Sequence, residues 1–263
     1  MGIGGVWINE YGSLMELAIE ADGRMYGTYS STTGSTGTFP VQGWADPGAA
    51  DSERGRSLAI SISWRSLGDE APDPSWHWVS GLGGQLVEDG GVERLILLHD
   101  MVATEEFPDQ ALVGRHLDKL VYSRAAKRES PAGPQFRPSA VTVPTVRSST
   151  LDGEWRDDFD PSTDLSLRFL DGGQGLVSGS FRIGGLSCPM RGFADAFAES
   201  EGCALQALSL SGLLPGGESV SLSGSLDLSS AVLTLASFRS RGTAPSLSYT
   251  QTRFDQHRMK RTS

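Results

Sequence analysis

The chain carries one unit written twice. Phe39-Pro40-Val41-Gln42-Gly43-Trp44-Ala45-Asp46 returns as Cys188-Pro189-Met190-Arg191-Gly192-Phe193-Ala194-Asp195, and Gly5-Val6-Trp7 returns as Gly153-Glu154-Trp155. The offset is 148 residues at the tryptophans, 149 at the prolines and 152 from Gly27 to Gly179, a drift that small loop insertions account for. A repeat of roughly 120 residues confines the 263-residue chain to two folded bodies, each long enough to bury its own core. Two pockets must therefore be judged separately.

Each unit parses into eight short strands. In the first they fall near 5–10, 14–20, 25–31, 38–45, 56–65, 76–86, 92–102 and 111–122, and Ala21-Asp22-Gly23-Arg24 reads as a hairpin turn. The fifth alternates well enough to put Leu58, Ile60, Ile62 and Trp64 on one face, with the other face left for solvent or a partner. In the second they fall near 153–158, 164–170, 176–183, 187–195, 203–211, 219–228, 231–240 and 246–256. Recurrent Gly, Ser, Thr and β-branched residues break any helical period. The expectation is all-β, two tandem eight-stranded antiparallel up-and-down barrels, because closure removes exposed sheet edges and eight strands leave room for one small ligand. Residues 1–124 form the first barrel, 125–150 a connector with prolines at 131, 134, 138 and 144, and 151–263 the second.

A formal net charge of −10 opposes binding to a phosphate backbone, so no nucleic-acid partner is expected. No segment offers 18 uncharged apolar residues, so no membrane span is expected either. The first residues lack the basic region and apolar run of an export signal; a native start at Met1 points to the cytoplasm, and a removed leader would point to secretion. Cys188 and Cys203, near opposite ends of a hairpin, are expected to be free thiols. They form no metal or redox motif, the four histidines are dispersed, and neither a metal nor a cofactor is expected.

Gly5-Val6-Trp7-Ile8-Asn9-Glu10-Tyr11-Gly12-Ser13, Ala21-Asp22-Gly23 and Gly27-Thr28-Tyr29-Ser30-Ser31 resemble the opening of the avidin/streptavidin family. Ile62-Ser63-Trp64, Val79-Ser80-Gly81 and Leu112-Val113-Gly114-Arg115-His116 follow in the family's order. The resemblance is specific over 5–122 and much weaker over 151–256. It implies eight-stranded barrels that bind biotin and associate into dimers or tetramers. It also implies that Asn9, Ser13, Tyr29 and Ser31 hold a ureido head and that Trp64 covers the apolar part of the ligand.

Four departures bear on affinity. Ile96 aligns where the family has a further tryptophan, and Phe107-Pro108 where a neighbouring subunit contributes one. On the preceding strand, one register turns His77 and Val79 inward and Trp76 and Trp78 outward; a shift of one residue turns Trp78 inward instead. The first register is the expectation. His116 stands where streptavidin-like proteins use an aspartate to accept a ureido N–H, which a neutral imidazole accepts and an imidazolium does not.

The second copy has Asp157 for Asn9, Phe181 for Tyr29, Ile183 for Ser31 and Ser211 for Trp64, with Ser162 retained for Ser13. An equivalent second biotin site is not expected, and the copy reads as a structural partner. Three classes of function stay open: binding of biotin or another small cyclic ligand, an enzyme using Asn9, Tyr29, His77 and His116 for proton transfer or shape-guided cyclisation, and an interaction scaffold. Outward tryptophans at 44, 76 and 78 are the candidates for association between barrels.

Overall fold

The computed structural model describes residues 2–31, 35–48, 50–51, 53–68, 74–106, 113–125, 136–138, 149–171 and 173–262. The first eight strands are β1 (Gly5–Asn9), β2 (Leu14–Ile19), β3 (Arg24–Ser31), β4 (Gly37–Ala45), β5 (Arg56–Ser63), β6 (Trp78–Asp89), β7 (Val92–Ala103) and β8 (Gly114–Arg124). They pair in sequence order and close where β8 meets β1, with Asn9 opposite Tyr122. The second eight are β9 (Gly153–Asp157), β10 (Asp164–Asp171), β11 (Leu176–Ile183), β12 (Leu186–Ala194), β13 (Leu205–Leu214), β14 (Glu218–Asp227), β15 (Val232–Ser240) and β16 (Thr252–Arg261). They close where β16 meets β9. The fold is two closed antiparallel barrels, joined by a connector of which only 125, 136–138 and 149–150 lie among the described residues.

The repeat has physical causes that recur in both barrels. A Cβ on Gly27 would stand 1.8 Å from the carbonyl oxygen of Glu16, and one on Gly179 equally close to that of Ser166, so the second and third strands meet only over a glycine. Gly23 and Gly175 take φ of +91° and +70°, and each accepts the N–H of the residue that ends the fourth strand, Ala45 or Ala194. At the end of each barrel where the first strand starts, an indole N–H donates to a carbonyl four residues back, Trp7 to Ile3 at 2.7 Å and Trp155 to Leu151 at 3.0 Å. A guanidinium covers each ring: Arg124 over Trp7 and Arg261 over Trp155.

The last strand is displaced from its expected position. Pro245–Thr250 form a 3-10 turn, and β16 begins at Thr252 and runs to Arg261. Closure decides this, because β9 needs Met259, Lys260 and Arg261 as partners for Asp157, Arg156 and Trp155.

The barrels pack face to face, β4 to β7 of the first against β12 to β15 of the second. Small residues allow the approach: a Cβ on Gly83 would lie 3.0 Å from the Cβ of Phe238, and one on Gly81 2.7 Å from Ser221 Oγ. The Gln42 amide donates to Gly192 O at 2.6 Å, the Ser57 hydroxyl to Gly217 O at 2.7 Å, and Gln85 and Thr243 exchange two hydrogen bonds. Asp100, fully buried, accepts from Arg115 of its own barrel and from the Ser223 hydroxyl of the other. Both cysteines are free.

Candidate functional site

An up-and-down barrel brings the end of each odd strand and the start of each even strand to the same rim. In the first barrel that rim carries Asn9 and Ser13 around the β1–β2 turn, and Tyr29 and Ser31 at the end of β3. Trp64 follows β5, Trp78 opens β6, Met101 lies near the end of β7, and His116 lies near the start of β8. Sequence therefore brings together Asn9, Ser13, Tyr29, Ser31, Trp64 and His116. The first five are at least nine-tenths buried; His116 is half-buried.

The polar groups of this rim are individually placed. Asn9 Oδ1 accepts the backbone N–H groups of Tyr11 at 3.1 Å and Ser13 at 2.9 Å, which closes the turn and leaves the side-chain amide N–H groups for the barrel interior. Tyr29 meets Trp64 edge to face, with ring centroids 5.8 Å apart; Phe39 and Trp78 also pack on Trp64, at 5.0 and 6.5 Å. The Trp64 indole N–H donates to Ser80 Oγ at 2.9 Å, so the ring that would face a ligand is fixed by a buried hydroxyl.

Three sequence expectations are corrected on β6 and β7. Trp78, Leu82 and Leu86 belong to the core of the first barrel, so even-numbered positions of β6 point inward. Val79 points outward and clusters with Val102, Leu176, Phe193 and Ala207 between the barrels. His77 likewise leaves the pocket: its Nδ1 lies 2.7 Å from Asp195 Oδ2 and its Nε2 3.2 Å from Glu201 Oε2, both in the second barrel. Hydrogen bonding to Asp195 is the main influence raising the imidazole pKa above its usual value, and burial opposes it. Ile96 is on the outer face, where its carbonyl accepts from Gln251 Nε2 at 3.0 Å, while Leu95 and Leu97 fill the interior. Phe107-Pro108 lies outside the described residues.

The structure adds three residues to the set. His99, inward on β7, has Nε2 2.8 Å from Ser80 Oγ, so Trp64, Ser80 and His99 form one chain of hydrogen bonds. Protein atoms crowd its ring although part of the residue meets solvent. Burial lowers its pKa from 6.5 to about 4, so His99 is neutral at ordinary pH. Tyr122, fully buried on β8, directs its hydroxyl toward Asn9 and Tyr29 without a hydrogen bond of normal geometry. Burial raises its pKa well above 10, which keeps it a neutral donor. Asp118 accepts from the Tyr11 hydroxyl at 3.0 Å, a contact that raises the Tyr11 pKa. The sequence signal for Tyr122 was strand parity, since positions 116, 118, 120 and 122 share one face.

Residues 1–115 match the model of the Avidin family. The matched segment takes in β1 to β7 and the first residues of β8, hence nearly all of the rim just described. No curated protein matches the chain.

The second barrel fills the corresponding space differently. The register puts Phe181 at the place of Tyr29 and Leu214 at the place of Trp64, which corrects the expected Ser211. Thr163, fully buried and bonded through its carbonyl to Asp157 N–H, takes the place of Ser13; Ser162 is exposed. Asp157 Oδ2 lies 2.5 Å from His257 Nδ1, and His257 Nε2 lies 3.0 Å from Ser237 Oγ. This buried Asp-His-Ser network pairs the functional groups of its members with one another.

Proposed function

We propose that the first barrel binds a small cyclic ligand with a polar head, biotin or a related cyclic urea being the leading candidate, at one site per chain. Residues 1–124 carry the site, 125–150 connect, and 151–263 supply a packed partner. The observation that carries this reading is the convergence on one rim of Asn9, Ser13, Tyr29 and Ser31 with Trp64 and Trp78. Hydroxyl and amide groups on one side match a carbonyl and ring N–H groups, and two indoles on the other match an apolar body. Tyr122 supports it, because a buried hydroxyl without a bonded partner among the described residues has hydrogen-bonding capacity to offer a ligand acceptor. The family match over 1–115 supports the class of small-molecule binding rather than a particular ligand.

Affinity below that of the strongest family members is expected, since the interior wall of β7 is Leu95, Leu97 and His99 rather than an indole. Calorimetry with biotin and desthiobiotin tests the proposal. Tyr29→Phe should weaken binding by about 1–3 kcal/mol if its hydroxyl meets a buried acceptor. Undetectable binding of both ligands at millimolar concentration would refute the cyclic-urea reading.

A further inference from the structure

The second barrel opens on the rim equivalent to the ligand end of the first, and its chemistry there is inverted. Where the first barrel has Trp78, Met101 and His116, the register puts Glu218, Arg239 and Arg253. These residues line a cavity of about 300 Å3 together with Arg241, Thr250 and Gln251. An aromatic and apolar mouth has become ionic.

The charges of this mouth do not balance. Glu218 pairs with Arg239 at 3.3 Å and with Arg241; Asp255 pairs with Arg239 at 3.4 Å and with Arg253 at 3.0 Å. Among the described residues, three guanidinium groups share two carboxylates, leaving one positive charge in excess on a protein whose formal net charge is −10. Arg239 is the least well served, because both its ion pairs are long and its buried Nε has no hydrogen-bond acceptor among the described residues. Gln251, 7% exposed, also carries a buried Oε1 without a partner. An unpaired buried donor costs free energy, and an oxyanion accepting from Arg239 Nε would relieve it, whereas Gln251 Oε1, itself an acceptor, gains nothing from an anion. Beneath the mouth, Ser237, next inward from Arg239 on β15, bonds to His257, which holds Asp157. That self-paired floor leaves the rim, not the barrel interior, as the place for a ligand.

We propose that the mouth of the second barrel is a binding site for a small oxyanion, a carboxylate or phosphate group, held by Arg239 with Arg241 and Arg253. Guanidinium groups donate pairs of parallel N–H bonds that match both kinds of oxyanion, and the recess strengthens those from Arg239, whose side chain is 16% exposed, relative to open water. A single excess cation matches a singly charged group, and Glu218 sets a limit by repelling a ligand that carries more negative charge near it.

Calorimetry of the full chain in low-salt buffer with inorganic phosphate, benzoate and phenyl phosphate tests this. Saturable binding of one equivalent, weakening as salt rises, is the expected result; preference for benzoate or for the phosphates separates the two oxyanion sources. Arg239→Gln should abolish binding. Should that variant fail to fold, the double variant Arg241→Gln and Arg253→Gln replaces only guanidinium groups that are 76% and 70% exposed, and should weaken binding about tenfold or more. Arg156→Gln, exposed on β9, should leave affinity unchanged. Absence of saturable binding for all three probes, unchanged affinity in the double variant, or equal weakening by Arg156→Gln would overturn the proposal.

Discussion

Replacing His99 by Gln should flatten the acid side of the stability profile. The folded chain holds the His99 imidazole neutral down to pH about 4, whereas the unfolded chain takes a proton near 6.5. Between those values the unfolded state binds more protons than the folded one, so stability falls as pH falls through that window. The contribution is intact above about pH 6.5 and reaches its full loss below about 4. At about 1.4 kcal/mol per pH unit, the step from pH 7 to pH 5 costs at most about 2 kcal/mol; solvent contact at part of the residue makes this an upper value. Gln retains a hydrogen-bonding partner for Ser80 and does not titrate. Urea unfolding of both proteins at pH 7 and pH 5 should show the original losing more stability than the variant. Identical losses, or a ring proton of His99 titrating at or above pH 6.5 by NMR, would refute the reasoning.

Two further perturbations address the contact between barrels. His77 gains a proton more readily in the folded protein, so its ion pairs with Asp195 and Glu201 stabilise below about pH 6.5 and the benefit is lost as pH rises through its raised pKa. His77→Gln should cost about 1.5–3 kcal/mol on the acid side of that transition and less on the alkaline side, measured by denaturant unfolding; a loss independent of pH would show that charge plays no part. Gly83→Val places methyl groups where Phe238 already stands 3.0 Å from the new Cβ, and overpacking of this kind costs about 1–3 kcal/mol. Hydrogen exchange should then accelerate in β6 and β15 together, and unchanged exchange in β15 would mean the barrels do not press on each other there.

The inward face on which the resemblance placed Asn9, Tyr29 and Ser31 was legible because β1 to β3 alternate between a buried interior and a more exposed exterior. In β2 and β3 the inward Met15, Leu17, Met25, Tyr29 and Ser31 are buried while the residues between them are largely half-exposed. There the period of two identifies the pocket face directly. On β5, and over the first ten residues of β6, every residue is buried, because one face fills the barrel and the other meets the second barrel. A strand buried on both sides gives no parity signal. Val79 and Trp78 were interchangeable for that reason, and Ile96 was drawn into the pocket by its alignment with a family tryptophan although the register turns it to the outer face of β7.

The sequence by itself determined the duplication and the strand pattern of each unit, and the family resemblance named the polar set Asn9, Ser13, Tyr29 and Ser31. The first two follow from local rules of turn chemistry and alternation, which act within a strand and its nearest neighbour. Only the tertiary structure decided that Trp78 faces inward, that Tyr122 and His99 join the site, that β16 runs on to Arg261, and that His257 meets Asp157 across 100 positions of chain. Each of these depends on barrel closure or on the packing of one barrel against the other, and such contacts join residues whose spacing along the chain carries no trace of their meeting.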